Sequence, residues 1–426
     1  MEIALIDADL LGRRKHRFPN LVCEKLSAFW RAQGANVTLK LNYEGLETYD
    51  HVFIAKVFTN TRVPSWLANI SYSKEQKAMM HRVGIPYAGD EMLIDEWLRK
   101  TTVYTIGKAQ IHIGGTGFFF DRAPNLPHAI EHQKPDYTLY NGWIEKEVQK
   151  ARVEAKNLGK LFNEKRFRTQ FKEYTDYSIG FLTRGCFRHC KFCVNQKYNR
   201  VFCHSPLNEF YNGESKKICL LDDNFFGYRD WIVLIQQLIQ TKKRFKFKQG
   251  LDERLLTDEV CQYLFNSKYD GDYTFAFDNV SDYELIHEKL KLIRKYTKRK
   301  NIKFYVLVGF ESTTITDIEN AFKRIALLMD YGCVPYIMRY QNKNETPWKA
   351  SKYKGMYVSL ARWCNQPGIF KKMSFRQFCE RDQFYHKTKS LCSSMKAMKM
   401  IEDECPALAK MYFDCKFNGE GDYYGV

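Results

Sequence analysis

Residues 177–193 read Tyr-Ser-Ile-Gly-Phe-Leu-Thr-Arg-Gly-Cys-Phe-Arg-His-Cys-Lys-Phe-Cys, and the rest of the chain is organised around them. The apolar run from Tyr177 to Thr183 reads as a buried strand. Arg184-Gly185 starts a loop that carries Cys186, Cys190 and Cys193 at C-x₃-C-x₂-C spacing, with Phe192 directly before the third cysteine. Three thiolates this close suit three irons of a cubane [4Fe–4S] cluster, and protein cubanes usually take four cysteines. One iron is then left for a ligand from outside the chain. Zinc is the other chemistry such a loop allows, because it takes paired C-x₂-C or Cys/His sets with a fourth ligand. His189 lies within the loop, and Cys203 and His204 follow it.

Downstream, apolar runs alternate with helical patterns. Ile218–Leu221, Phe245–Asp252, Tyr273–Phe277, Phe304–Phe310 and Val334–Met338 read as strands. A helix with Trp231, Leu234, Ile235 and Leu238 on its apolar face separates the first two, and Thr257 caps another. With the strand before the cysteines this gives six β-α units, which predicts a partial (β/α)₆ barrel over residues 176–340. Barrel chemistry gathers at the C-terminal ends of strands. There the sequence turns polar: Asp222, Asp223 and Asn224; Gln249, Asp252 and Arg254; Asp278; Gly309 and Glu311; Arg339. The same residue types also serve as helix caps and turns in such connections.

Loop, units and polar strand ends together resemble the radical S-adenosylmethionine (radical SAM) superfamily. The resemblance implies that the open iron chelates the amino and carboxylate groups of S-adenosylmethionine (SAM). It assigns Asp222, Asp223 and Asn224 to the SAM amino group, and places Gln249, Asp252 and Arg254 beside them, with Arg254 suited to the SAM carboxylate. Asp278 would meet the ribose hydroxyls, Gly309 and Glu311 the adenine side, and Phe192 the adenine itself. Arg339 is the candidate for facing substrate. The implied reaction is reductive cleavage of SAM to methionine and a 5′-deoxyadenosyl radical, which takes hydrogen from a substrate. An electron donor such as flavodoxin or ferredoxin is the implied partner.

Residues 1–140 read as a Rossmann-like open parallel sheet. Ile3–Ile6, Val37–Leu39, His51–Ala55 and Gln110–Ile113 are its strands, Leu21 to Trp30 forms a helix, and Ser73 caps a second helix through Met80. Gly114-Gly115-Thr116-Gly117 follows the last strand, where glycines let backbone approach a ligand. In position this stretch resembles the cobalamin-binding domain that precedes the barrel in one large radical SAM class. The usual Asp-x-His-x-x-Gly signature is absent, so the expectation is that fold without bound cobalamin. Residues 141–175 form a charged helical linker, and 341–426 a mostly helical extension. Its Cys364, Cys379, Cys392, Cys405 and Cys415 are spaced too widely for a second cluster and read as buried thiols. Trp348, Tyr353, Tyr357, Trp363, Phe370 and Phe375 supply its core.

The 426 residues are 45% hydrophobic and 15% aromatic, which supports a large core and excludes global disorder. The net charge of +18 favours polyanionic partners, so a nucleic acid such as tRNA or DNA is one substrate class. The basic residues on the helix from Lys289 to Lys300 are expected to be a solvated face. The chain has 13 cysteines, of which Cys219, Cys261 and Cys333 sit in or beside apolar runs and read as small buried hydrophobes. No apolar run is long enough to span a membrane, and the opening Met-Glu-Ile-Ala-Leu-Ile-Asp reads as a strand, so no membrane partner and a reducing, cytoplasmic setting are expected. Two other functions fit the sequence: methyl transfer or tailoring of a small molecule or peptide, and a non-catalytic protein that keeps a cluster or zinc for structure.

Overall fold

Ile3 and Leu5 point to one side of the first strand, and Ala4 and Ile6 to the other, yet all four are fully buried. That pattern requires a sheet covered on both faces, and the computed structural model of the chain has one. It describes residues 1–13, 18–68, 93–120, 123, 125–195, 198–298, 301–341 and 346–418. The expected helix from Ser73 to Met80 lies outside the described residues. The fold is mixed α/β with mainly parallel strand pairing. It divides into two compact units, Met1–Phe245 and Lys246–Val426.

In the first unit, five strands are ordered β2-β1-β3-β5-β4. They are β1 (Glu2–Asp7), β2 (Asn36–Leu39), β3 (His51–Ala55), β4 (Thr102–Ile106) and β5 (Ala109–Gly114). The pairs β1–β2, β1–β3 and β3–β5 are parallel, whereas β4–β5 is an antiparallel hairpin. One core packs Ile3, Leu5 and Phe53 against Trp30, Trp97 and Trp143; the opposite core holds Ala4, Ile6, Ile54 and Ile111. The helix Leu21–Ala32 is capped by Asn20, whose side chain accepts from the amides of Val22 and Cys23.

Two expectations change here. The stretch after Tyr140 is not a free linker: its helix Asn141–Asn157 buries Trp143, Ile144 and Val148 in the first core, while its charges pair outside, Arg168 with Glu145 and Glu164. Nor are the glycines after β5 an open cradle. The close approach they permit is to Lys56: a Cβ on Gly115 would lie 2.3 Å from the Lys56 carbonyl oxygen, and the Gly117 amide donates to that oxygen at 2.9 Å.

The first unit continues into a second sheet of β6 (Tyr177–Gly180), β9 (Lys217–Leu220) and, at its edge, β10 (Arg244–Phe247), where the two units divide. β6 and β9 run parallel. Between them, β7 (Thr183–Arg184) and β8 (Phe202–Cys203) pair antiparallel. The second unit has a parallel sheet of β11 (Tyr273–Ala276), β12 (Ile302–Val308) and β13 (Val334–Arg339), ordered β11-β12-β13. Six strands therefore fall where six were expected. A helical region follows, and Trp363, Phe370, Phe375 and Cys379 in it are fully buried. The basic helix Tyr283–Tyr296 is not wholly a solvated face: Arg294 is 2% exposed and donates to the Tyr331 carbonyl at 2.8 and 2.6 Å. Among the described residues, no helix is long and apolar enough to cross a membrane.

Candidate functional site

The cysteine loop is mounted on a closed neck. Thr183 faces Cys203 and Arg184 faces Phe202 across the β7–β8 ribbon, so the chain leaves and returns at one point. Gly185 makes this possible. Its φ is +88°, and a Cβ there would lie 2.3 Å from the Arg200 carbonyl oxygen on the returning chain. Within the loop His189 takes a left-handed φ of +48°, and the Cys193 amide donates to the Cys190 carbonyl at 2.8 Å. Cys186, Cys190, Cys193 and Phe192 are all half-buried.

The three residues after β9 hold this loop one after another. Asp222, 2% exposed, accepts from the Thr183 amide at 2.6 Å, the Thr183 hydroxyl at 2.7 Å and the Leu182 amide at 3.3 Å. Asp223 accepts from the Gly185 amide at 2.9 Å. Asn224, 3% exposed, donates from Nδ2 to the Cys186 sulfur at 3.4 Å. Both Asp222 oxygens are thus engaged within the chain, which gives this carboxylate a structural task beside the one expected of it. Burial pushes the Asp222 carboxyl up to about 7, against its three donors.

The sulfurs are served by N–H groups. Cys186 also accepts from the Arg188 amide, and Cys193 from the Asn195 amide, each at 3.4 Å. Burial pushes the Cys193 thiol up to about 11, and the charges of Cys190, Asp223 and Cys186 add to this. A metal centre reverses such a bias, since it binds and stabilises thiolates. Among the described residues, no group of three or more His, Cys, Asp or Glu side chains is placed to hold a metal ion.

Behind the neck lies a buried charged network that sequence reasoning missed. Lys25 and Glu131, 106 positions apart, pair at 2.8 Å, and Lys25 also donates to the Glu131 carbonyl. Burial alone would raise the Glu131 carboxyl; the charge of Lys25, with that of Arg184, outweighs it and holds the group below its usual value. Burial drives His204 down to about 3, so it is neutral at ordinary pH. His132 stacks on His204 at 4.9 Å and meets Glu209 at 2.9 Å. Glu131 and Lys25 come from helices of the first sheet, whereas Arg184 belongs to the neck. A cleft of about 540 Å³ runs along the ribbon, lined by Phe187, Arg200, Phe202, Tyr228 and Arg229 among others.

The remaining candidates belong to the second unit. Gln249 is exposed. Arg254 Nε donates to Asp252 at 2.6 Å, so that cation is already paired with its near neighbour. The residue between them, Glu253, carries the larger perturbation. It is 3% exposed, accepts from the Ala276 amide at 3.1 Å, and is pushed up to about 8 by burial and by the Asp252 charge. Asp278 accepts from the Leu307 amide at 3.0 Å, and burial raises it to about 6. Beside it the buried Arg324 donates to the carbonyls of Phe277 and Asp278, at 2.9 and 2.8 Å. Glu311 is exposed. Gly309 has a φ of +69° and donates to Asp317 at 2.8 Å. Arg339 is exposed and lies over the Trp348 ring. Asp317, Arg324 and Trp348 stand inside or beyond helical patterns, where spacing alone signals only packing.

Compared with known proteins, the chain matches no family model and no curated protein.

Proposed function

We propose that the chain is a radical SAM enzyme in which Cys186, Cys190 and Cys193 hold a [4Fe–4S] cluster. The observation that carries this reading is the grip of Asp222, Asp223 and Asn224 on residues 182–186. Three consecutive side chains at one strand end hold the loop in a set shape. The donor set suits the group: three half-buried thiols, with backbone and amide N–H groups aimed at two of the sulfurs. When bound, the cluster supplies the electron that cleaves SAM to methionine and a 5′-deoxyadenosyl radical.

The chain's own residues bind and orient. Asp222 keeps the neck closed. Asn224 donates to the Cys186 sulfur, which tunes the centre through an outer hydrogen bond. Asp223 spends one oxygen on Gly185, and its second oxygen is assigned to the SAM amino group. Asp252 fixes the Arg254 guanidinium, whose other edge is assigned to the SAM carboxylate. Asp278 is kept for the ribose and Gly309 with Glu311 for the adenine side. In this reading the six strands β6 and β9–β13 belong to a partial (β/α)₆ barrel, and the first sheet is the Rossmann-like domain before it. The glycine turn packed on Lys56 gives no support to cobalamin there. The exposed Arg200 and Arg229 beside the cleft favour an acidic electron donor of flavodoxin or ferredoxin type. The charge of +18 favours a nucleic-acid substrate over an uncharged small molecule.

Anaerobic reconstitution with iron and sulfide tests the ligand assignment. The wild type is expected to bind four irons and four sulfides, and Cys186→Ala, Cys190→Ala and Cys193→Ala each to lose the cluster. Zinc retained in a stoichiometric amount, with no iron–sulfur absorbance, would contradict it.

A further inference from the structure

At the C-terminal ends of β12 and β13 the second unit carries two cations on one aromatic ring. The Arg339 guanidinium lies 4.6 Å from the centre of the Trp348 ring, and the Lys349 ammonium lies 5.9 Å from it. Trp348 is fixed. It is 6% exposed, and its indole N–H donates to the Tyr340 carbonyl at 2.8 Å. The chain after β12 is fitted to it, for a Cβ on Gly309 would meet Trp348 Cβ at 2.8 Å. That chain is anchored in turn by Asp317, which accepts from the Gly309 amide at 2.8 Å and the Tyr357 hydroxyl at 2.7 Å. Gly309 is therefore explained first as the residue that makes room for the indole.

Arg339 and Lys349 are both exposed, and among the described residues no acid pairs with either. A guanidinium stacked on an indole keeps its planar N–H edge free and has lost part of its rotamer freedom in advance. That edge matches two oxygens of a carboxylate or a phosphate. A carboxylate is satisfied by one guanidinium; a second cation on the same ring suits the greater charge of a phosphate. Along β13 the exposed Tyr336 and Met338, paired in register with Tyr305 and Leu307 of β12, alternate with Arg339 and belong to the other face of the strand, so the site is built by Arg339, Trp348 and Lys349. The net charge of +18 favours polyanions, and a nucleotide or nucleic acid is the phosphate-bearing class that fits it.

We infer that Arg339, seated on Trp348 and flanked by Lys349, binds a phosphate group of the substrate, which makes the substrate a nucleotide or a nucleic acid. The word substrate rests on the SAM-cleaving reading; the phosphate site does not.

The test uses the full chain and fluorescence anisotropy of a labelled, short single-stranded RNA, with AMP, adenosine and inorganic phosphate as competitors. Wild type is compared with Arg339→Gln, Arg339→Lys and Lys349→Gln, whose folding is checked by circular dichroism. Arg339→Gln is expected to weaken binding at least about tenfold and to reduce the salt dependence by about one phosphate contact. Arg339→Lys should fall between, since lysine keeps the charge and loses the planar fork. Competition by AMP and phosphate identifies a free nucleotide, and displacement by RNA alone identifies a nucleic acid; both support the inference. Equal binding by Arg339→Gln, adenosine competing as well as AMP, or no binding of any phosphate probe would overturn it. SAM cleavage is assayed on the same preparations. Arg339-dependent phosphate binding without SAM cleavage would sink the enzymatic reading alone, and cleavage without such binding would sink this inference alone.

Discussion

Replacing Asp222 by Asn separates the charge of the neck clamp from its shape. Asn keeps one oxygen for the Thr183 amide and hydroxyl, which lie at 2.6 and 2.7 Å, and turns a donor toward the Leu182 amide at 3.3 Å. Losing that bond and facing two donors together costs about 1–3 kcal/mol. The pH dependence is more diagnostic. The Asp222 pKa is about 7 in the folded chain against an ordinary 3.8, so the folded state holds the proton more tightly. Stability from this group is therefore greatest below pH 4 and is lost as pH rises toward about 7. Linkage gives about 2.5 kcal/mol lost between pH 5 and pH 8. Burial raises Asp7, Glu253 and Asp278 too, and their losses have the same sign, but they are common to wild type and variant. Urea unfolding of the iron-free chain at both pH values, read by circular dichroism, isolates Asp222 as a difference of differences. Asp222→Asn should be the more destabilising at pH 5, and by pH 8 most of its deficit should be gone. An equal deficit at both pH values would refute the burial argument.

Gly185→Ala forces a Cβ against the Arg200 carbonyl at a left-handed φ; it should destabilise the chain by about 1–3 kcal/mol and reduce iron retained after reconstitution, measured by thermal melting and iron assay. Glu131→Gln leaves Lys25 and Arg184 without their buried counter-charge, so a loss of about 3–5 kcal/mol is expected, and a melting temperature within error of wild type would show the network to be incidental. Asn224→Ala removes the N–H donor to the Cys186 sulfur, and the cluster's reduction potential should become more negative because hydrogen bonds to sulfur help set it; redox titration followed by electron paramagnetic resonance reads the shift.

Local signals carried far in this chain. Ile3–Ile6 and His51–Ala55 are parallel strands that announce themselves as continuous apolar runs, and the cysteines are legible because their spacing is local. The strand β4 was missed although Thr102–Ile106 is rich in β-branched residues and precedes a Gly-Lys turn; that is a hairpin signal. The neck clamp was legible only in part. Asp222 to Asn224 were marked by their place after a strand, but their partners lie about 40 positions back. The Lys25–Glu131 pair is beyond any local pattern, since two charged residues 106 positions apart carry no mark of each other. Glu253 was hidden by Asp252 and Arg254, whose charges drew the reading although the burial falls on the residue between them. Trp348 read as core, and it is buried; its use as a seat for Arg339 depends on one ring face that only packing reveals.

SAM cleavage is the central step of the proposed function. The direct measurement is 5′-deoxyadenosine formed from SAM by the anaerobically reconstituted, reduced chain, with Cys190→Ala in parallel. Wild type is expected to form it, and the variant, lacking the cluster, to form none. A wild-type chain with its full complement of iron and sulfide that leaves SAM intact, or a Cys190→Ala chain that keeps its iron and cleaves SAM, would contradict the account.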